Sequence, residues 1–213
     1  MRIAVVTEVS TKDKNKFIVP ALENRGHEIF NIGMKGTDNE AELTYIQTGF
    51  ISAAALVSGA ADMVVAGCGT GQGFLNSVMQ YPGVSCGLIE NPLDSWLFAQ
   101  INGGNCISLA LNKGFGWAGD VNLSFIFDKF FSVELGCGYP EHRKTSQQRS
   151  RAILKEISAT THISMEAIIE RLDSSVILPA LVFPGVMEFL REHAPAGSAV
   201  VAACEKRLAQ NEK

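Results

Sequence analysis

The chain has no CxxC pair, no excess of positive charge and no apolar run approaching a membrane span. Its five cysteines, Cys68, Cys86, Cys106, Cys137 and Cys204, are odd in number and scattered. That pattern argues against a disulfide framework or a zinc site and suits a reduced, cytoplasmic setting. A net charge of -4 gives no electrostatic reason to expect nucleic acid or an anionic membrane as partner. Met1 to Val6 is too short for the apolar core of a signal peptide. Two familiar phosphate-binding signatures are also missing. No lysine follows the glycine-rich stretch as a nucleotide P-loop requires, and the G-x-G-x-x-G of a dinucleotide site does not follow the first strand.

What remains is ordinary globular material with one unusual loop. The 46% hydrophobic and 19% charged composition fits a compact domain that can bury a core. Arg2 to Thr7 is a buried-strand pattern, and further strands are predicted at His27 to Asn31, Ala61 to Ala66, Val84 to Ile89 and Cys106 to Leu111. Helical stretches separate them. A helix capped by Ser10 or Thr11 holds Pro20, which should bend or shorten it. Others are predicted over Leu43 to Val57, Leu93 to Ile101 with Pro92 at the first position, and Asn122 to Phe131. Strands alternating with helices predict a Rossmann-like three-layer α/β fold around a five-stranded parallel sheet. Its ligand site should lie beyond the carboxyl ends of the strands. That places the loops Glu8 to Thr11, Gly67 to Gly73, Glu90 to Pro92 and Ala110 to Gly119 on one edge.

The alternation stops near Phe131. Gly136 to Arg151 reads as a polar, basic connector, and only helical patterns follow. Ser164 can cap Met165 to Leu172, Pro184 suits the first turn of Val186 to His193, and Ser198 precedes Val200 to Leu208. The expected division is an α/β domain over 1–155 and a helical extension over 156–213, packed on the domain or on a dimer interface. His27 reads as structural, and His162 and His193 as solvent-facing residues of the tail. Cys86, Cys106, Cys137 and Cys204 read as packing residues.

The unusual loop is Gly67-Cys68-Gly69-Thr70-Gly71-Gln72-Gly73. Its glycines allow sharp turning and close approach of peptide N–H groups to an anion. A helix beginning near Phe74 would add a dipole favouring negative charge, the setting in which thiolates and oxyanions are both stabilised. The chemistry this suggests is an acid–base thiol beside an enediolate cradle. A tight turn with an incidental core cysteine is the bland alternative.

This loop resembles the Cys-Gly-Thr-Gly-x-Gly motif of the ribose-5-phosphate isomerase B family, which also includes the galactose-6-phosphate isomerase subunits. Asn91-Pro92, Asn102-Gly103-Gly104-Asn105, Phe130-Phe131 and Glu141-His142-Arg143 resemble later family landmarks in the same order, so the likeness spans roughly 1–155. It implies an aldose–ketose isomerase working through a cis-enediol without metal or organic cofactor. On this resemblance Cys68 is the base, and Thr70 assists proton transfer or holds a sugar oxygen. The amides of Gly69, Gly71, Gln72 and Gly73 cradle the enediolate, and Glu8, Asn102, His142 and Arg143 bind substrate. Arg149 or Arg151 could take the place of Arg143. The resemblance also implies a homodimer in which the His142 segment reaches the neighbouring subunit's site.

Some family positions differ. Glu8-Val9 stands for Asp-His, Ile101 for the histidine credited with ring opening, and Leu93 for a tyrosine. Longer members are thought to isomerise 4-deoxy-hexulose uronates, open-chain keto-aldehydes that need no ring opening. The substrate is therefore a sugar phosphate or such a uronate. The alternatives from other classes are a non-catalytic sugar- or anion-binding protein on the same fold and a flavodoxin-like cofactor binder.

Overall fold

Residues 1–211 are described by the computed structural model. The predicted strands form β1 (Arg2–Val6), β2 (Glu28–Asn31), β3 (Met63–Cys68), β4 (Cys86–Ile89) and β5 (Cys106–Ala110). All pairings are parallel, in the order β2-β1-β3-β5-β4. The central strands β1, β3 and β5 are nearly all apolar because helices cover both faces of the sheet. Strand β3 runs two residues further than the apolar pattern indicates. Its backbone pairs Gly67 with Leu109 and Cys68 with Ala110 before turning.

One face of the sheet carries α2 (Tyr45–Val57) and α3 (Gln72–Val78), with Phe50, Phe74 and Val78 in its core. The other carries α1 (Asn15–Leu22), α4 (Pro92–Leu97) and α5 (Gly119–Phe130), around Ile18, Phe98 and Phe127. Local sequence explains most helix starts. Thr44 and Gln47 form a capping box at α2, and Asn91 Oδ1 accepts from the Leu93 and Asp94 amides ahead of Pro92 at α4. A π-turn over Phe98–Asn102 prolongs α4. The expected cap of α1 does not form. A short 3-10 turn at Lys12–Lys14 leads into it, and Ser10 is bonded elsewhere. Pro20 lies inside this eight-residue helix, which ends two residues later.

Beyond β5 and α5 the chain is helical. A 3-10 turn at Glu141–Arg143 leads into α6 (Lys144–Thr161), so the second half of the expected basic connector is helix, and residues 155 and 156 lie inside it. Then follow α7 (Met165–Arg171), α8 (Ser174–Leu181), α9 (Val186–His193) and α10 (Ala199–Asn211). Ser164 caps α7 as expected, its Oγ accepting from the Ala167 amide at 3.3 Å. Gly185, with φ of 89°, is the residue before α9, which moves Pro184 outside the helix.

Met165, Ile169, Ile177, Leu181 and Leu190 join the core beneath α2, so the tail and that sheet face share one apolar interior. His193 is packed rather than solvent-facing. Its ring lies 4.2 Å from that of Phe30 on the β2 edge and 5.0 Å from Phe189, and its carbonyl accepts from Arg2 at 2.7 Å. Helix α6 differs from the rest: none of its 18 residues is buried, and Ile153, Leu154 and Ile157 are exposed. Among the described residues no single helix is long and apolar enough to cross a membrane.

Candidate functional site

Strand order creates the site. β1 and β5 lead to helices on one face of the sheet, while β3, between them, leads to α3 on the other. The chain therefore parts on both sides of β3 at its carboxyl end, the position at which open α/β sheets bind ligands. Cys68 is the last residue of that strand and is 6% exposed.

The turn after Cys68 explains the glycines one by one. A Cβ on Gly67 would stand 2.2 Å from the Leu109 carbonyl oxygen, so β3 and β5 approach this closely only without a side chain there. Gly71 has φ of 75°, and a Cβ on it would meet Leu88 at 2.4 Å. Its carbonyl accepts from the buried Ser108 hydroxyl at 2.6 Å, and its amide donates to the Cys68 carbonyl at 3.2 Å. Gly73 lies against the ring of Tyr45, with a built Cβ 3.2 Å from it.

The peptide donors of the loop divide into two groups. Gly69 N–H donates to Ser10 Oγ at 3.2 Å, Gly71 N–H to Cys68, and Gln72 N–H to Thr70 Oγ1 at 3.4 Å. Among the described residues, the N–H groups of Thr70 and Gly73 meet no acceptor. Of the cradle residues expected from the sequence, Gly73 thus keeps a free donor, whereas Gly69 and Gly71 are engaged within the chain. Thr70 is exposed at the rim.

Two neighbouring loops hold this turn. From the β1 side, Ser10 meets Gly69. From the β5 side, the Asn112 amide donates to the Gly69 carbonyl at 2.9 Å, and its Nδ2 donates to the Ser10 carbonyl, also at 2.9 Å. Glu8 is 2% exposed, and its carboxylate turns inward to accept from the Ser10 amide at 3.0 Å, from the Ser10 hydroxyl, and from the Thr11 hydroxyl at 3.2 Å.

Sequence reading placed both loops on this edge but named Ser10 only as a helix cap and did not single out Asn112 or Tyr45. Ser10 and Asn112 are 102 residues apart, and their partnership is tertiary. Tyr45, exposed at the start of α2, carried a weak signal as an aromatic immediately after a cap.

The remaining expected residues lie elsewhere in the chain. Helix α4 and its π-turn return from the carboxyl edge to the opposite edge, where β5 begins, and Asn102 stands exposed at that end. The connector follows it: the Gly136 and Gly138 amides donate to Ala99 and Gln100 at 2.7 Å each. His142 and Arg143 continue from there, both exposed. Within one chain, topology therefore separates Asn102, His142 and Arg143 from Cys68. Arg151 is committed, its Nη1 donating to the Gly136 carbonyl at 2.9 Å. Among the described residues, no three His, Cys, Asp or Glu side chains gather as a metal site would need.

Comparison with known proteins matches this architecture. A 4-deoxy-L-threo-5-hexosulose-uronate ketol-isomerase, crystallised with a tartrate, is 36% identical over 98% of this chain and 100% of its own, with a TM-score of 0.94. A ribose-5-phosphate isomerase from Vibrio parahaemolyticus is 38% identical over 98% of both chains, with a TM-score of 0.90. The type B ribose 5-phosphate isomerase of Leishmania infantum shares the fold at 17% identity, covering 73% of this chain and 97% of its own, with a TM-score of 0.60. The family model described as Ribose/Galactose Isomerase matches residues 3–148, and the chain belongs to that family.

Proposed function

We propose that this chain is an aldose–ketose isomerase in which the Cys68 thiolate moves a proton between C1 and C2 of its substrate through a cis-enediolate. The observation carrying this reading is the position of Cys68: the last residue of β3, at the parting of the chain, in a turn whose Thr70 and Gly73 N–H groups have no acceptor among the described residues. Those donors, from Thr70 and Gly73, suit the enediolate oxygen, and one donor of this kind is typically worth about 3–4 kcal/mol of barrier. The Thr70 hydroxyl and the Gln72 side chain line the same rim and are candidates for substrate oxygens. No step of this chemistry calls for a metal or an organic cofactor.

The substrate class we favour is an open-chain uronate of the 4-deoxy-L-threo-5-hexosulose type. The relative with the 0.94 TM-score is named for that compound, and on the family resemblance Ile101 replaces the histidine credited with ring opening of a cyclic sugar. A second reading, a pentose or hexose phosphate, is supported by the 38% identity to the Vibrio enzyme.

A homodimer with shared sites is part of the proposal. Asn102, His142 and Arg143 lie toward the edge opposite Cys68, so they serve it only from a second copy, where Arg143 suits a carboxylate or phosphate alike. The uncovered Ile153, Leu154 and Ile157 offer an apolar face for that pairing. Five free thiols fit a cytoplasmic location.

The test is turnover of 4-deoxy-L-threo-5-hexosulose uronate, ribose 5-phosphate and hexose 6-phosphates side by side, with Cys68→Ser as control. Conversion of one of them, with loss of both turnover and solvent exchange at C2 in the variant, is expected. Undiminished exchange in Cys68→Ser would remove the thiol from the mechanism. Ligand binding with no turnover on any of these would favour a non-catalytic binding protein.

A further inference from the structure

Glu8 is a buried carboxylate that a mechanism built on Cys68 alone does not use. It is 2% exposed, and among the described residues no Lys, Arg or His forms an ion pair with it. An uncompensated charge in such a place costs several kcal/mol unless hydrogen bonds offset it. Three donors do so: the Ser10 amide at 3.0 Å, the Ser10 hydroxyl, and the Thr11 hydroxyl at 3.2 Å. Thr11 is buried, whereas Ser10 is exposed. Ser10 Oγ also receives the amide of Gly69, the residue following Cys68, at 3.2 Å. One hydroxyl therefore links a buried carboxylate to the surface at the Cys68 turn.

An aldose–ketose isomerisation moves two protons, not one. The carbon-bound proton leaves C2 and arrives at C1. The hydroxyl proton must leave O2 and appear on O1. A thiolate that carries the first is occupied when the second has to move, so a separate acid–base group is needed at the oxygens.

Resting on the isomerase reading above, we propose that Ser10 and Glu8 form a relay for the hydroxyl proton. Cys68 takes the proton from C2; the C–H electron pair becomes the C1–C2 double bond, and the carbonyl pair moves onto O1. Ser10 Oγ then accepts the proton of O2–H as its own proton passes to Glu8, and the same path in reverse delivers a proton from Glu8 through Ser10 to O1. As the O2 lone pair forms the new C2 carbonyl, the double-bond pair takes the proton back from the Cys68 thiol at C1. Cys68, Ser10 and Glu8 end as they began, no outside reagent is consumed, and enediolate plus carboxylate keep a constant total charge. The Gly69 amide fixes the lone pair by which Ser10 is oriented, leaving the other for the substrate.

The experiment follows the two protons separately. Wild type, Glu8→Gln, Ser10→Ala and Ser10→Thr are incubated in D2O with 4-deoxy-L-threo-5-hexosulose uronate, or with ribose 5-phosphate should the turnover screen select it. Exchange at C2 and net conversion are read by proton NMR. The relay requires Ser10→Ala and Glu8→Gln to lose about 10²- to 10⁴-fold in kcat with KM within a few-fold, while exchange at C2 persists. Ser10→Thr, which retains a hydroxyl, should recover part of the conversion. Because Ser10 is exposed, its alanine variant keeps the test open even where Glu8→Gln unfolds. Near-wild-type conversion in Ser10→Ala, or exchange and conversion lost in step, overturns the relay. Conversion and exchange at C2 undiminished in Cys68→Ser would instead strike the Cys68 reading itself.

Discussion

Asn112 Nδ2 donates to the carbonyl of Ser10 across 2.9 Å, joining the loop after β5 to the loop after β1. Between these two loops lies the turn that follows Cys68, and the Asn112 backbone amide holds that turn as well, donating to the Gly69 carbonyl at 2.9 Å. Three strands separated by long stretches of sequence are thereby fixed relative to one another at their carboxyl ends. A thiol at the end of a strand is placed only as well as its neighbouring loops are, and misplacement by about 1 Å can cost a hundredfold in rate.

Replacing Asn112 by Ala removes the bond to Ser10 and keeps the backbone bond to Gly69. The side chain is exposed, so the melting temperature should change little. We expect kcat to fall about ten- to a hundredfold, with KM altered far less. Asn112→Asp, which cannot donate from its side chain, should be no better than the alanine variant. An Asn112→Ala protein with wild-type kcat would show that the Ser10 link is ornamental to the chemistry.

How much of this was legible in the sequence follows from the range of each interaction. The strands were legible because a parallel sheet covered on both faces demands unbroken apolar runs, as in Val64-Val65-Ala66. The side of the sheet on which the loops gather followed from the alternation alone. Strand β3 was read two residues short, since glycine seldom lies in a strand and only the approach of Leu109 explains Gly67. The start of α6 was missed for a different reason. Lys144 to Arg151 has no apolar periodicity, and no residue of the helix there is buried. The Ser10–Asn112 bond was beyond reach, since nothing local distinguishes a loop asparagine that meets a distant carbonyl from one that meets water.

The outer face of α6 supplies the second prediction. Ile153, Leu154 and Ile157 fall on neighbouring turns of one helix and are exposed by 44, 61 and 50%. A lone helix presenting these to water loses the burial of three large aliphatic groups, each worth about 1.5–3 kcal/mol when fully covered. Leu154→Glu combined with Ile157→Glu should give a folded monomer by sedimentation, against the dimer proposed for wild type. Because Asn102, His142 and Arg143 would then lack a partner site, activity should fall with dissociation and recover in part at high protein concentration. A fully active monomer would refute the shared-site arrangement.

His27 provides a prediction in pH. Its two ring nitrogens are buried without a hydrogen-bond partner among the described residues, and the ring packs 4.4 Å from that of Phe131. Burial pushes its pKa below the ordinary 6.5, with the chain's terminal ammonium adding to the effect, the Gly26 backbone partly opposing it and Arg25 contributing least. The folded state thus resists protonation that the unfolded chain accepts freely. Between 6.5 and the lowered folded value the unfolded state binds more protons, so stability rises with pH there. The contribution is intact above pH 6.5 and is eroded as the solution is acidified through that value. In His27→Phe the ring shape is kept and nothing titrates. The melting temperature of wild type relative to His27→Phe should therefore hold near pH 7.5 and decline as the pH is taken through 6.5 toward 5, the other three histidines being common to both proteins and cancelling in the comparison. A difference that stays constant over this range would mean that His27 titrates alike in both states and that its buried nitrogens are no source of acid sensitivity.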